Sequence, residues 1–157
     1  MTGRRFSKFL LLALLLSWPA GRPLLRAQQT PEQKSERAIR EVLDRQTAAW
    51  NKGDLDGFMN GYWKSRELTF FSSGAATRGW KATLSSYRKR YASEGKEMGR
   101  LDFPEETIEL LGSNAALVRG RWRLKFSSGR EARGLTTLVM RRLPEGWRIV
   151  HDHSSAE

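Results

Sequence analysis

The chain has 157 residues, with 28 Lys and Arg against 17 Asp and Glu, a formal net charge of +11 and no cysteine. That length suits a single core, and 39% hydrophobic with 29% charged residues describes a globular chain and not a disordered one. The missing cysteines exclude a disulfide scaffold, a thiolate nucleophile and every Cys-ligated zinc or iron–sulfur site.

Residues 1–27 read as an export signal. Arg4, Arg5 and Lys8 precede the apolar run Phe9–Trp18, which has the length of a signal-peptide core and is too short to span a bilayer. Pro19, Gly21 and Pro23 break the run, and Ala27 offers a small residue for cleavage before Gln28. This segment carries +5 of the charge and no acid, leaving +6 on the mature chain. The expectation is an exported protein, periplasmic or secreted, with no membrane anchor after cleavage and no nucleic-acid partner.

Residues 28–33 form a short N-terminal linker ahead of a single domain over 34–155. The linker holds a helix-start signal in Thr30-Pro31-Glu32-Gln33: Thr as N-cap, Pro at the first helical position and Gln at the capping-box position. The first helix is predicted to run to Lys52 and stop at Gly53. Its apolar face holds Ile39, Val42, Leu43 and Trp50, with one polar member, Gln46. Asp54 caps a short second helix bearing Leu55, Phe58, Met59, Tyr62 and Trp63. Leu68–Phe71 is a strand ended by Ser72-Ser73-Gly74. A third helix, 79–93, aligns Trp80, Leu84, Tyr87 and Tyr91 on one stripe.

From Arg100 onward the pattern changes to period two. Leu101–Leu111, Ala115–Phe126, Arg130–Leu143 and Trp147–Ser154 are strands, separated by turn residues at 112–114, 127–129 and 144–146. Connections this short require antiparallel hairpins. In the second of these strands Ala116, Val118, Gly120, Trp122 and Leu124 share a face opposite Arg119, Arg121, Arg123 and Lys125, so one face is buried and the other wet. Gly120 and Gly134 mark strong curvature or close approach. The expected architecture is α+β: N-terminal helices packed in the concave face of a curved antiparallel sheet, which makes a cone with a pocket at its mouth.

Several stretches carry a family resemblance: Ala49-Trp50-Asn51-Lys52-Gly53-Asp54, Tyr62-Trp63, Gly79-Trp80, Tyr87-Arg88-Lys89-Arg90-Tyr91, Met98-Gly99, Ala116–Trp122 and Gly146–Ser155. Together they resemble the nuclear-transport-factor-2-like superfamily, in its SnoaL-like branch of small secreted proteins, over essentially all of residues 34–155. The resemblance implies a cystatin-like cone fold and a homodimer joined through its sheets. It also brings in ketosteroid isomerases, polyketide cyclases and dehydratases as relatives. The closing Trp147-Arg148-Ile149-Val150-His151-Asp152-His153 is similar to the end of the calcium/calmodulin-dependent kinase association domain, an oligomerisation module. Ser154 stands where that domain has a pocket arginine.

His151 and His153 are the only histidines. Strict alternation places both on the face of Trp147 and Ile149, inside the cone, where a neutral imidazole serves as a general base. Asp152 then points outward. Asp102 and Glu106 are the remaining candidates for an inward acid. A metal would need a third ligand, which the sequence does not supply, and no cofactor is expected. Gln46, Trp50, Tyr62, Trp63, Trp80, Tyr87, Tyr91 and Trp122 are the candidate pocket lining, suited to a flat organic ligand.

Arg119, Arg121, Arg123, Lys125, Arg141 and Arg142 form an outer basic stripe, read as a solvated or dimer-forming face. Three functions stay open: a small-ligand binder, a metal-free isomerase, cyclase or dehydratase using His151 or His153, and a homo-oligomerisation module. An inward-facing carboxyl would favour catalysis.

Overall fold

The structure, a computed structural model, describes residues 29–157; the expected signal peptide lies outside the described residues. Helix α1 spans Pro31–Trp50 and opens with the predicted capping box, the Thr30 hydroxyl accepting from Gln33 N and the Gln33 side chain accepting from Thr30 N. Its buried stripe is Ile39, Val42, Leu43, Gln46 and Trp50. Helix α2, Leu55–Met59, starts where Asp54 Oδ1 accepts from Gly57 N at 2.8 Å. It ends earlier than its apolar pattern suggests. Tyr62 and Trp63 leave the helix to dock on the sheet, Trp63 N donating to Ile149 O at 2.9 Å and Ile149 N donating to Gly61 O at 3.0 Å.

Strands β1 (Thr69–Ser72) and β2 (Ala75–Arg78) form a hairpin. Its two-residue turn is Ser73 and Gly74 at φ 53° and 76°, the double positive φ that matches strand twist. The sequence pattern predicts β1 but not β2, whose Ala-Ala-Thr-Arg lacks apolar alternation because it is an exposed edge. Helix α3, Trp80–Arg88, widens into a π-helical turn at Lys89–Ser93, with Glu94 N donating to Lys89 O. Strands β3 (Arg100–Leu110), β4 (Ala115–Lys125), β5 (Glu131–Leu143) and β6 (Gly146–Ala156) follow.

The described strands form one six-stranded sheet in the order β2-β1-β6-β5-β4-β3. Pairing is antiparallel except between β1 and β6. The curved sheet does not close, and the helices fill its concave side. Ile39 and Met59 from the helices meet Val118, Met140 and Ile149 from the sheet, all essentially without solvent contact.

One irregularity controls what faces inward. In the β5–β6 ladder Met140 pairs with Ile149 but Val139 pairs with His151, so Val150 is an extra, unpaired residue: a β-bulge. Trp147 and Ile149 are buried as expected; past the bulge the parity inverts. Asp152 is buried, 4% exposed, while His151 is half-buried and His153 exposed. The regular alternation expected for 147–153 is therefore wrong after Ile149.

Gly134 and Gly120 are both sites of close approach. A Cβ on Gly134 would lie 1.8 Å from Ser155 O and 2.7 Å from Trp122 Cζ2; on Gly120 it would lie 2.8 Å from Glu105 O. Gly134 lets the Trp122 ring cross β5 so that its Nε1 donates to Ser155 O at 3.1 Å. We expect Gly134→Ala to cost about 3 kcal/mol and Gly120→Ala about 1 kcal/mol. Urea denaturation measures both, and equal losses would show that Gly134 is not the tighter contact.

Candidate functional site

The concave side of the sheet and the helices enclose a cavity of about 710 Å³, within the range of small-molecule sites. Its walls are aromatic. Trp50 meets Phe58, Tyr87 and Tyr91 edge-to-face at ring-centroid distances of 5.1, 5.9 and 5.2 Å. Phe58 and Phe70 meet Tyr87 at 5.4 and 5.7 Å. Tyr87 and Tyr91 stack, with their planes 17° apart. Such edge-to-face and stacked pairs fix ring orientation as well as burying apolar area.

Of the eight predicted lining residues, Gln46, Trp50, Tyr62, Tyr87, Tyr91 and Trp122 line this cavity. Trp63 and Trp80 do not. Trp80 Nε1 donates to Met59 O at 2.8 Å, with Lys64 Nζ 5.4 Å from its ring, so it fastens α3 to α2. Trp63 is held at the edge of β6 by its backbone. Gln46 donates from Nε2 to Phe58 O at 2.9 Å and fills the space over Gly61, which makes it first a clamp between α1 and the end of α2. The indole N–H groups are similarly committed, Trp50 to Gly99 O at 3.0 Å and Trp122 to Ser155 O.

The polar end of the cavity is Asp152, which the sequence reading placed outside. The Tyr62 hydroxyl donates to its Oδ2 at 2.7 Å, and Ser154 Oγ lies 2.8 Å from Oδ1. Ser154 Oγ is also 3.0 Å from Thr136 Oγ1. A hydroxyl has one proton, so while Ser154 serves the ionised carboxylate, Thr136 donates to Ser154. No cation pairs with Asp152 among the described residues. Burial pushes its carboxyl up to about 6, against the opposing pull of the Tyr62 and Ser154 hydrogen bonds. Both protonation states are then accessible near neutral pH. Burial, joined by the nearby Asp152 charge, raises the Tyr62 and Tyr87 phenols well above their ordinary range, so both remain proton donors.

His151 and His153 do not line the cavity. Having been turned to the outer face by the bulge, they stand beside Phe71, at ring distances of 5.0 and 6.0 Å. His151 Nδ1 shares a hydrogen bond with Thr69 Oγ1 at 2.7 Å, and its imidazole is lowered by burial and by His153. The inward-facing place expected for them is taken by Asp152. Asp102 forms a two-pronged pair with Arg123 at 2.9 and 3.0 Å, and Glu106, raised by burial, sits near Arg40 and Asp44 of α1; neither lines the cavity. The alternating pattern held no signal for Asp152, because a bulge is a register event and leaves no mark in hydrophobic periodicity.

A six-stranded curved sheet wrapped on helices, with one aromatic-walled cavity at its concave side, defines the cystatin-like, nuclear-transport-factor-2-like class of α+β proteins. The chain belongs to the SnoaL-like domain family, which matches residues 39–157. It is similar to a nuclear-transport-factor-2-like protein of unknown function from Shewanella oneidensis, at 38% identity over 76% of this chain and 98% of that one, with a TM-score of 0.71. A superfamily member from Salmonella enterica matches in fold at 23% identity over 80% of this chain and 92% of that one, TM-score 0.63. So does a putative calcium/calmodulin-dependent protein kinase II association domain from Xanthomonas campestris, at 18% identity over 83% of this chain and 95% of that one, TM-score 0.64. No curated protein matches the chain.

The raised Asp152 pKa has a consequence for stability. Because the folded value, about 6, exceeds the ordinary 3.8, the folded state holds this proton more tightly than the unfolded state. The stabilisation is complete below about pH 4 and lost as pH rises through 6. Asp152→Asn, which keeps the shape without the charge, is expected to be more stable than the parent at pH 8 by on the order of 2–3 kcal/mol. That advantage should shrink towards pH 4. Urea midpoints across this range measure it, and a pH-independent difference would mean that Asp152 titrates as an ordinary carboxyl.

Proposed function

We propose that the cavity takes a small organic molecule with an apolar body, and that Asp152 exchanges a proton with a polar group at its inner end. The observation that carries this reading is the buried carboxyl, held by two hydroxyls and, among the described residues, no cation, at the inner end of an aromatic cavity. An uncompensated buried charge is expensive, and perturbed carboxyls gather where proton transfer is needed. As the carboxylate, Asp152 accepts a proton from an activated C–H or O–H of the ligand; as the acid, it returns one to a neighbouring atom. Tyr87, kept protonated beside it, donates to a developing oxyanion. This is chemistry of the isomerase, cyclase and dehydratase kind, with the base moved from histidine to Asp152.

The features of residues 1–27 support export to the periplasm or beyond. Exposed Phe71 and Leu135, set among charged residues on the outer sheet face, support a homodimer built on that face. Simple ligand binding is the second reading, favoured by the commitment of most polar lining groups to the protein itself.

Thermal-shift screening of the protein against aromatic acids, polyketides and steroids is expected to find compounds that raise the melting temperature, and silence across such libraries would remove the cavity reading. With a compound that is turned over, Asp152→Asn should lower kcat by about 10²–10⁴-fold. His151→Ala and His153→Ala should leave it within about threefold. Full turnover by Asp152→Asn would leave binding alone.

A further inference from the structure

The two ends of the cavity differ in charge. At the inner end stands buried Asp152. The lining residues that reach solvent mark the cavity mouth, and the charged ones among them are Arg90, Lys96, Glu97 and Arg130, beside uncharged Ser73, Ala75 and Ser155. We infer that the natural ligand is an organic anion, held at the mouth by Arg90 and Arg130, with an uncharged polar group at Asp152. This rests on the reading of the cavity as a small-molecule site and narrows its ligand class.

The mouth is built to hold these two guanidinium groups. Arg90 lies in the π-helical turn at the end of α3, with its Cζ 5.5 Å from the Tyr91 ring centroid. Arg130 lies across the turn from Phe126, with its Cζ 3.8 Å from that ring centroid. A guanidinium held against an aromatic residue gives up little further freedom when it meets a carboxylate, sulfonate or phosphate, and although Arg90 also bonds the Tyr91 phenol, its five donors leave others for such an anion. The two supporting segments are fastened together: Glu97 Oε1 accepts from Ser127 N at 2.6 Å, and Gly99 lies against the Phe126 ring, 3.2 Å from where a Cβ would stand.

Nearby acids do not pair with either guanidinium, although Glu97 is an acid of the same mouth. Glu94 is on Lys96 at 3.2 Å, Glu131 is on Arg133 at 2.9 Å, and Glu97 accepts from the backbone. Neither Arg90 nor Arg130 has an ion-pair partner among the described residues. An anionic group at the inner end would face Asp152 across an apolar wall and be repelled, so charge alone sets the direction in which such a ligand enters.

Two fluorescent probes with the same ring skeleton test this. 8-Anilinonaphthalene-1-sulfonate carries one anionic group, and N-phenyl-1-naphthylamine carries none. The double variant Arg90→Gln/Arg130→Gln is expected to weaken the sulfonate probe about tenfold and to leave the neutral probe within twofold. Raising salt to about 0.5 M should weaken the sulfonate probe in the parent protein in the same way. Arg141→Gln/Arg142→Gln, on the far end of β5, should change neither. Equal weakening of both probes by the mouth variant, or of neither, overturns the anion inference while leaving the cavity site in place. If neither probe binds, or if filling the cavity with Ala132→Trp leaves both affinities unchanged in a protein with parental circular dichroism, the cavity reading falls and the inference with it.

Discussion

The chemistry available to this protein depends on one unpaired residue, Val150. Strand β6 is bordered by β5 on one side; on the other it meets the Gly61–Trp63 segment at Ile149 and then β1 from His151 to Ser154. The change of partner falls at the bulge. Two short elements on one edge must be matched to one long strand on the other, and an extra residue absorbs the mismatch. Its cost is a local break in the ladder. Its effect is to turn Asp152 and Ser154 towards the helices and both imidazoles towards the outer face. Without the inversion, the aromatic cavity would have histidines at its inner end and no acid.

Once Asp152 is inside, its neighbours become intelligible. A buried carboxyl needs donors, and they come from opposite sides of the cone. Tyr62 arrives from the segment after α2, which stops being helical in order to dock on β6; Ser154 and Thr136 come from adjacent strands. Several other polar lining groups are tied to backbone: Gln46 to Phe58, Trp50 to Gly99, Trp122 to Ser155. These bonds hold the walls rigid, since a buried donor without a partner would be destabilising. The division leaves the carboxyl, the Tyr87 and Tyr91 phenols and the arginines of the mouth among the groups not bound to backbone.

Much of this was legible in the sequence because it rests on local or periodic signals. The Thr30 capping box, the α1 stripe through Gln46 to Trp50, the four long strands and the two strand glycines each depend on residue type at fixed spacing, and six aromatic or amide positions on the cavity wall followed from those faces. The misses share another physical origin. The β6 bulge, the parallel pairing of β1 with β6, edge strand β2 and the π turn are set by what a segment packs against. Trp63 and Trp80 fell on the right stripes, but their partners on β6 and α2 drew them away from the cavity. Asp152 was read correctly as incompatible with His151 on one face; which of the two faced inward was a question of register.

The charge also takes a different meaning once placed in the fold. On the outer sheet face the bases largely answer to acids across or along the strands: Arg119 to Glu109, Arg123 to Asp102, Arg133 to Glu131, and Arg121 to Glu105 and Glu157. Exposed pairs of this kind add little stability; they leave that face mixed in sign, a poor surface for a polyanion. At the cavity mouth Arg90 and Arg130 lie against aromatic rings without such partners among the described residues, and the acids of the cavity are Glu97 at the mouth and Asp152 at the inner end. On the proposed reading, a ligand entering there would pass from cation to apolar wall to carboxyl. Each zone penalises the wrong chemical group: an ammonium at the mouth, a charge in the middle, an anion at the end. Such discrimination would need no large set of directional hydrogen bonds, in keeping with a wall where Gln46, Trp50 and Trp122 already bond to backbone.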